Sequence, residues 1–376
     1  MDPDKPFLSS LDLVRAATDE HVLRALMRHR RLTRAELATE AGISKPTAGE
    51  SVRRLTERGL VADTGERTPG GRGRGRVGSY YALAPTVGTA LAVVIAPEGI
   101  VAERVDIYGD TVARAARPID RPADPAQVAA AVREAAGESA DPGLPPVRLA
   151  IVSAADPVDR RTGRLIQLPD SPFLVGELDP VAVLAPFAAG PVIVDNDVNW
   201  AARAERAHAD PEHLNNFAYL YLGEGLGCAI VSDGEVRRGG TGLTGEIAHL
   251  LTAGPDGRAT HFIDVFGALG LRRPGSTAID VDRLLARPAD HEVLATAASG
   301  VIAAVIALAD PQEIVIGGSW GPALTGPIRT AAARLPRTVP IRPAALTDRP
   351  IHTGVRHEAL TRLRALVTAA DNLSGR

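Results

Sequence analysis

Cysteine is nearly absent from this sequence, and so is lysine. A single cysteine, Cys228, stands in 376 residues, so the chain alone supplies neither a disulfide framework nor a cysteine-rich zinc cluster. We expect this cysteine to be buried as a small apolar side chain. Only two of the 42 basic residues are lysines, which, with the many Ala, Gly and Pro residues, indicates a GC-rich genome rather than a function.

Long apolar runs are absent as well. The chain is 45% apolar with a mean hydropathy of +0.02, and no uninterrupted apolar run approaches the roughly 20 residues of a membrane helix. The N-terminus has neither the basic start nor the apolar stretch of a secretory signal. We therefore expect a cytoplasmic protein without a membrane span, built as a small domain joined to a larger, two-lobed domain.

The basic charge is concentrated near the N-terminus. Residues 21–80 contain 13 Lys and Arg against 6 Asp and Glu, a balance of +7, so the remainder carries −10 of the total of −3. Such an asymmetry is typical of a chain that binds nucleic acid through one end.

The basic segment has the pattern of three helices and a hairpin. Residues 1–18 show no sustained periodicity and predict a loose arm with some helical character, and residues 21–29 predict a first helix. Thr33 and Glu36 form a capping box for a second helix, which ends at Gly42. Ser44 caps a third helix over residues 45–58, and strands near residues 60–62 and 79–83 flank a polar, Arg- and Gly-rich tip at residues 65–78.

This order is that of a winged helix-turn-helix, whose third helix enters the major groove of DNA. Residues early in that helix should face base edges, namely Lys45, Thr47, Ala48 and Glu50, while Arg53, Arg54 and Arg58 lie farther along for phosphates. The predicted DNA-binding residues are Arg34, Ser44, Lys45, Thr47, Arg53, Arg54, Arg72, Arg74 and Arg76, the last three in the wing. The alternatives are a basic helix pair used for protein contacts and a flexible linker in place of the wing.

Beyond Pro85 the sequence alternates between strand-like and helix-like segments, which predicts an α/β domain. Predicted strands cover residues 90–95, 148–152, 191–194, 218–222, 228–231 and 313–316. Two runs rich in Pro, Ala and Asp, residues 117–125 and 139–146, predict surface loops around a helix at residues 126–136.

Seven short segments follow one another in a recognisable order. They are ISKPT at 43–47, RRL at 53–55 and GLV at 59–61 near the N-terminus, and residues 192–199 (VIVDNDVN), 222–227 (LGEGLG), 242–249 (GLTGEIAH) and 314–318 (IVIGG) in the larger domain. Taken in this order, they resemble the ROK family of bacterial regulators and sugar kinases. The resemblance implies a winged helix-turn-helix domain over residues 1–86 and an actin-like, ribonuclease-H-type, two-lobed domain over residues 87–376. It also implies a homodimer or tetramer.

The resemblance carries a sugar site onto four positions. Asp197 matches the aspartate that serves ROK kinases as general base, and Asn196, Glu246 and His249 match sugar contacts. They are the candidate effector-binding residues. The alternatives are helix capping for Asn196 and Asp197, and an ordinary, hydrogen-bonded histidine for His249.

Three departures from the family pattern predict that this chain is not an enzyme. Residues 88–100 (GTALAVVIAPEGI) lack the family's phosphate-holding turn, and Glu224 replaces the threonine of its Gly-Thr-Gly turn, so we expect the carboxylate to repel nucleotide phosphates. Residues 250–267 lack the cysteines that accompany His249 in zinc-binding members. We therefore expect no catalytic residue, no cofactor and no metal.

The expected function is that of a transcription regulator, a repressor, that binds a double-stranded DNA operator and senses a sugar or another metabolite. The alternatives are an active ROK sugar kinase and a regulator whose ROK domain is only a dimerisation scaffold.

Replacing Arg72, Arg74 and Arg76 together by alanine should weaken DNA binding and flatten its salt dependence, because each cation on a phosphate releases counterions. If all three contact the backbone, the slope of log K against log salt should become shallower by about 3, measured by gel shift at several salt concentrations. An unchanged slope would show that this segment is a linker.

Overall fold

The computed structural model describes residues 10–68, 78–139, 143–168, 171–209 and 214–373, so the predicted wing residues Arg72, Arg74 and Arg76 lie outside it. The α-helices of these ranges are α1 (Ser10–His29), α2 (Arg34–Glu40), α3 (Lys45–Glu57), α4 (Pro125–Glu138), α5 (Pro180–Leu184), α6 (Asp197–His208), α7 (Phe262–Ala268), α8 (Val281–Leu285), α9 (His291–Ala309), α10 (Gly321–Ala332) and α11 (Pro350–Leu373).

The strands of the described residues form three larger sheets and a two-stranded ribbon. They are β1 (Arg31–Thr33), β2 (Val61–Arg67), β3 (Ser79–Leu83), β4 (Thr89–Ala96), β5 (Gly99–Asp106), β6 (Thr111–Arg117), β7 (Val147–Ala154), β8 (Val192–Asn196), β9 (Phe217–Leu222), β10 (Leu226–Ser232), β11 (Glu235–Val236), β12 (Leu251–Ala253), β13 (Ala259–His261), β14 (Glu313–Gly317) and β15 (Ile341–Pro343).

The N-terminal domain is a winged helix-turn-helix, as predicted. Helices α1 to α3 pack on a small antiparallel sheet of order β1-β3-β2. The capping box is confirmed, because the Thr33 amide donates to the Glu36 carboxylate over 2.7 Å and the Glu36 amide donates to the Thr33 hydroxyl over 3.3 Å. Ser44 caps α3 by accepting from the Thr47 amide at 3.2 Å. These local bonds set the angle between the two helices of the motif.

The prediction for the first helix was wrong at its start. Helix α1 begins at Ser10, eleven residues before His21. Its first half exposes Leu11, Leu13 and Val14, so no inward apolar face marks it in the sequence. Good helix formers and Asp12 in the first turn favour the helix there without a buried stripe.

The larger domain consists of two lobes, each with a five-stranded sheet. The order is β6-β5-β4-β7-β8 in lobe I and β11-β10-β9-β14-β15 in lobe II. In both, three antiparallel strands continue into two parallel ones, with the first strand of the lobe at the centre. This repeated order is the actin-like, ribonuclease-H-type arrangement expected from the resemblance. The six predicted strands are all present.

The sequence analysis did not predict β5 and β6. In the structure β5 pairs antiparallel with β4 on one side and with β6 on the other. Two charged residues interrupt the apolar pattern of β5, although both are buried: Glu103 is 2% and Arg104 is 3% exposed. Glu103 contacts His352 at 2.7 Å and also pairs with Arg356, while Arg104 donates to the Thr89 hydroxyl at 2.8 Å. Partners distant in sequence make this burial favourable, so the sequence of β5 alone did not reveal it.

The hydrophobic core of the N-terminal domain continues into lobe I. One cluster includes Leu26 of α1 and Leu55 of α3 together with Leu149 of β7, Trp200 of α6 and Leu363 of α11. Helix α11 packs on α1, on β4 and β7, and on α6. The expected domain boundary between residues 86 and 87 therefore runs through a hydrophobic core that the two domains share.

Helix α9 is the most apolar helix. With the preceding turn it forms a segment, Pro288–Ala309, that is long and apolar enough to cross a membrane by length and composition, although the sequence had predicted no such span. Half of this segment is buried, and Leu294, Val301 and Ile302 belong to the core of lobe II. It is a core helix of this fold, with Leu308 exposed near its end.

The crossing of α11 over α6 should be sensitive to one added methyl group. A Cβ atom on Gly354 would lie 2.1 Å from the backbone oxygen of Trp200, so Gly354→Ala should lower the free energy of unfolding by about 1–3 kcal/mol. Gly326→Ala in α10 is the control, since nothing lies within 4 Å of its Cβ position, and it should be neutral or slightly stabilising. Urea unfolding of both variants measures the effect, and equal stabilities would contradict the packing described here.

Candidate functional site

The third helix of the winged helix-turn-helix presents a polar outer face. Lys45, Thr47, Glu50 and Arg53 are exposed on it, whereas Ala48 is fully buried. The expectation that Ala48 faces base edges is therefore wrong, because its methyl group packs in the core with Val52 and Leu55. Lys45 and Thr47 remain the side chains at the start of this face.

The two predicted phosphate contacts in α3 lie in different surroundings. Arg54 is held inside the domain by Asp19 of α1, with N–O distances of 2.5 and 3.0 Å, and Asp19 is 4% exposed. This pair joins α1 to α3 and leaves the Arg54 side chain 27% exposed, so its contact with DNA stays a prediction. Arg53 pairs with Glu50 and Glu57 on its own helix at 2.9 and 2.7 Å. Exposed pairs of this kind are weak, so a phosphate can replace them.

Arg34 is exposed at the start of α2, and its guanidinium carbon lies 5.0 Å from the centre of the Tyr81 ring. Such stacking on β3 orients the side chain beside the hairpin that leads into the wing. Ser44 is used as the cap of α3 and also lies 2.7 Å from the Thr47 hydroxyl. Arg34 and Ser44 therefore both lie at the outer surface of the helix-turn-helix.

The second candidate site lies between the lobes, where β8 meets α6. Asn196 caps α6 by accepting from the Val198 amide at 3.0 Å, and its side-chain amide donates to the backbone oxygen of Asp156 at 3.3 Å. Asp197 follows it, and its carboxylate accepts from the Val198 amide at 2.7 Å. Capping is thus confirmed for Asn196, while Asp197 keeps its second carboxylate oxygen for other contacts.

Carboxyl groups cluster around Asp197, and one of them, Asp156, is buried. Burial raises the pKa of Asp197 to about 7, and the charges of Asp156, Glu246 and Glu98 add to the rise. Burial likewise raises the pKa of Glu246 to about 7, with Asp156 adding to the rise and His249 opposing it. For Asp156, burial raises the pKa to about 6 against the effect of a hydrogen bond from Ser171. The structure therefore brings Asn196, Asp197 and Glu246 into one acidic cleft.

Glu224 has a different role from the one expected. Its carboxylate accepts from Arg121 of lobe I at 2.8 Å and from Arg273 of lobe II at 2.7 Å. Simple repulsion of phosphate is the wrong account, because two cations surround this carboxylate. Glu224 instead occupies the guanidinium groups that could bind an anion, and it ties one lobe to the other.

His249 lies at the edge of the cleft, in a short turn after Glu246. It is exposed, and its ring meets that of His261 edge to face, with 6.0 Å between centroids. Among the residues that the structure describes, no group of three or more His, Cys, Asp and Glu side chains could hold a metal ion. The expectation of a zinc-free protein stays a prediction.

The sequence predictions had overlooked Asp156, Glu98 and Arg121. Asp156 follows directly after the buried strand β7, and polar residues at the carboxyl ends of parallel strands commonly reach a ligand crevice. This signal was available in the sequence. Glu98 and Arg121 lie in a hairpin turn and a loop, where no local pattern marks them.

Two family models match the chain. A model of winged helix-turn-helix DNA-binding domains matches residues 15–62, and the model of the ROK family matches residues 144–261. The second match contains Asn196, Asp197, Glu246 and His249.

Known relatives share parts of this domain. Glucokinase of Halalkalibacterium halodurans is 42% identical over 69 residues, which are 18% of this chain and 21% of that enzyme. The bifunctional enzyme NanE/NanK of Brucella suis is 33% identical over 141 residues, 35% of this chain and 27% of that enzyme. The chain thus spans less than a third of the length of these relatives.

One solved structure resembles the whole chain. The crystal structure of a ROK family transcriptional regulator, a homologue of the E. coli MLC protein, matches with a TM-score of 0.62 at 18% identity, covering 95% of this chain and 99% of that one. The fold and the two family models together define a two-lobed, actin-like protein with an N-terminal DNA-binding domain. Within its larger domain, residues 144–261 match the ROK family model.

The acidic cleft should make stability fall as pH rises. In the unfolded chain Asp156, Asp197 and Glu246 lose their protons near pH 4, whereas in the folded protein they lose them only near pH 6 to 7. The free energy of unfolding should therefore fall as the pH rises from about 4 to about 7. Asp197→Asn should raise the melting temperature by a few degrees at pH 7.5 and by much less at pH 4.5.

The control for this experiment is Asp348→Asn, at a side chain 90% exposed, which should leave the melting temperature unchanged at both pH values. Differential scanning calorimetry provides the measurement. A loss of stability in Asp197→Asn that is larger at pH 7.5 would contradict the raised pKa.

Proposed function

We propose that the protein is a DNA-binding transcription regulator, a repressor, whose ROK domain transfers no phosphate and binds a small effector. The effector is a sugar, a sugar derivative or another metabolite of that size. The observation that carries this proposal is the core shared by the DNA-binding domain, lobe I and α11.

The shared core supports regulation because it connects the two candidate sites. Asn196 and Asp197 lie where β8 meets the N-terminus of α6, α6 packs on α11, and α11 packs on α1. An effector that stabilises one relative orientation of the two lobes thereby stabilises one position of α3. In a homodimer or tetramer, the spacing of two such helices decides which operator half-sites are bound together.

The arginines of the cleft support the lack of phosphoryl transfer. Phosphoryl-transfer enzymes place cations and turn amides around the transferred phosphate. Here Arg121 and Arg273 are both engaged by Glu224, and the turn between β4 and β5 carries Glu98. Because both arginines are already paired and two carboxylates lie beside them, this part of the cleft is poorly suited to binding the phosphates of a nucleotide.

A sugar kinase is the second candidate, and Asp197 is the observation in its favour. Burial raises the pKa of this carboxyl to about 7, which suits a general base working near neutral pH. Glucokinase and the bifunctional enzyme NanE/NanK are similar to parts of this chain. A base without a phosphate cradle would bind and orient a hydroxyl group but would not transfer phosphate to it.

The proposal is tested by footprinting the full-length protein on its own upstream DNA, followed by affinity measurements with single variants. Lys45→Ala should weaken binding to the protected site at least tenfold, since a base contact contributes about 1–3 kcal/mol of discrimination. Arg258→Ala in lobe II removes the same charge from a side chain 89% exposed and should bind like wild type. Absence of any protected site, or equal losses in both variants, would contradict sequence-specific binding through α3.

A further inference from the structure

Asp156 is a buried acid with an unused hydrogen-bonding atom. It is 2% exposed, and its Oδ1 atom accepts from the Ser171 hydroxyl. Its Oδ2 atom has no hydrogen-bond partner among the residues that the structure describes. Leaving a carboxylate oxygen buried and unpaired is costly, so this atom favours a ligand that donates to it.

The surroundings of Asp156 carry excess negative charge. Asp156 acts on both Asp197 of lobe I and Glu246 of lobe II, and Glu98 acts on Asp197 as well. The other titratable groups facing this cluster are His249, beside Glu246, and Tyr219 and Tyr221, beside Asp197. A ligand that brings positive charge would therefore be stabilised by carboxyl groups from both lobes.

The neighbouring arginines are committed to other partners. Arg203 and Arg238 contact Asp195, the buried residue before Asn196, at 2.8 and 3.1 Å. Arg121 and Arg273 contact Glu224 at 2.8 and 2.7 Å. These ion pairs hold the cations away from Asp156, so the compensating charge has to come from the ligand.

The occupant is larger than a metal ion. Within the described part of the chain, no three acidic or histidine side chains converge closely enough to hold one. The carboxyl groups come instead from three places: Asp156 from the loop after β7, Asp197 from α6 and Glu246 from the turn before His249. The two lobes touch in the same region, because the Arg160 amide donates to the backbone oxygen of Thr241 at 3.0 Å. The size of the occupant, that of a sugar, follows from the proposed effector.

We propose that the cleft binds an amino sugar, a sugar-sized polyol with an unmodified ammonium group, and that Asp156 is the residue that selects the ammonium group. Its Oδ2 atom accepts from the ammonium, while Asp197 and Glu246 accept from the remaining donors of the ligand. A neutral sugar could donate hydroxyl groups to the same atoms but would leave the carboxyl charges uncompensated. The inference rests on the proposed effector role of this cleft.

The test is isothermal titration calorimetry of the full-length protein with D-glucosamine, D-mannosamine and D-galactosamine, each compared with its N-acetyl form and its parent hexose. At least one amino sugar should bind ten times more tightly than its two neutral counterparts. Asp156→Asn keeps the shape but removes the charge, and should abolish this preference. The matched control is Asp348→Asn, which should keep the preference.

A second readout separates charge selection from a merely structural role of Asp156. Ammonium binding favours the ionised forms of Asp156 and Asp197, whose pKa values burial raises to about 6 and about 7, so binding near pH 6.5 should release protons. Titrations in two buffers of different ionisation enthalpy measure that release, which should decrease in Asp156→Asn. Thermal melting checks that this variant folds; we expect it to be at least as stable as wild type, since a buried charge is removed.

Equal affinity for amino and N-acetyl sugars, binding without proton release, or no binding of any amino sugar would each overturn the proposed ligand class. The same protein preparation is tested on operator DNA. Operator binding without amino-sugar binding rejects this inference alone, whereas loss of operator binding rejects the proposed function.

Discussion

The packing of α11 against both the DNA-binding domain and the cleft is the interaction on which the rest of the structure depends. This helix closes the core of lobe I through Val355, Ala359 and Leu363, and it contacts α1 of the DNA-binding domain as well as α6 of the cleft. Burial of large apolar side chains stabilises such contacts by roughly 1.5–3 kcal/mol for each side chain. A helix from the end of the chain thus joins its N-terminal domain to the cleft.

Polar contacts fix the orientation that the apolar core allows. Arg364 of α11 donates to the backbone oxygen of Ile107 at 3.1 Å, and Arg30, after α1, forms a two-point pair with Asp110 at 2.5 and 2.8 Å. The Tyr108 ring lies under the Arg30 guanidinium, 5.1 Å from its central carbon. The β5–β6 turn therefore contacts the DNA-binding domain directly.

The cleft combines residues that cap a helix with an acid and ion pairs that local sequence did not reveal. Asn196 caps α6, and Asp197 is the first residue of that helix. Glu224 pairs with one arginine from each lobe, and Asp156 adds a buried acid after the end of β7. Motif similarity therefore places Asn196 and Asp197 in the fold, whereas the chemistry of the cleft also depends on residues outside the motifs, such as Asp156.

Features encoded locally could be predicted from the sequence, and features built from distant pairs could not. The Thr33–Glu36 capping box, the Ser44 cap and the six predicted strands follow from residues a few positions apart, and all were confirmed. The contact of Arg54 with Asp19 depends on partners that the sequence does not place together. The same holds for the pairing of Glu224 with Arg121 and Arg273, so neither contact could be predicted from local sequence.

The central claim is the proposal that the larger domain binds an effector and transfers no phosphate. The most direct measurement is a coupled assay of ATP-dependent phosphorylation across common hexoses and amino sugars, using full-length protein that binds its operator. The account predicts no turnover above the background of a protein-free reaction. Turnover that disappears in Asp197→Ala would contradict it, because it would show a working phosphate cradle beside that carboxylate.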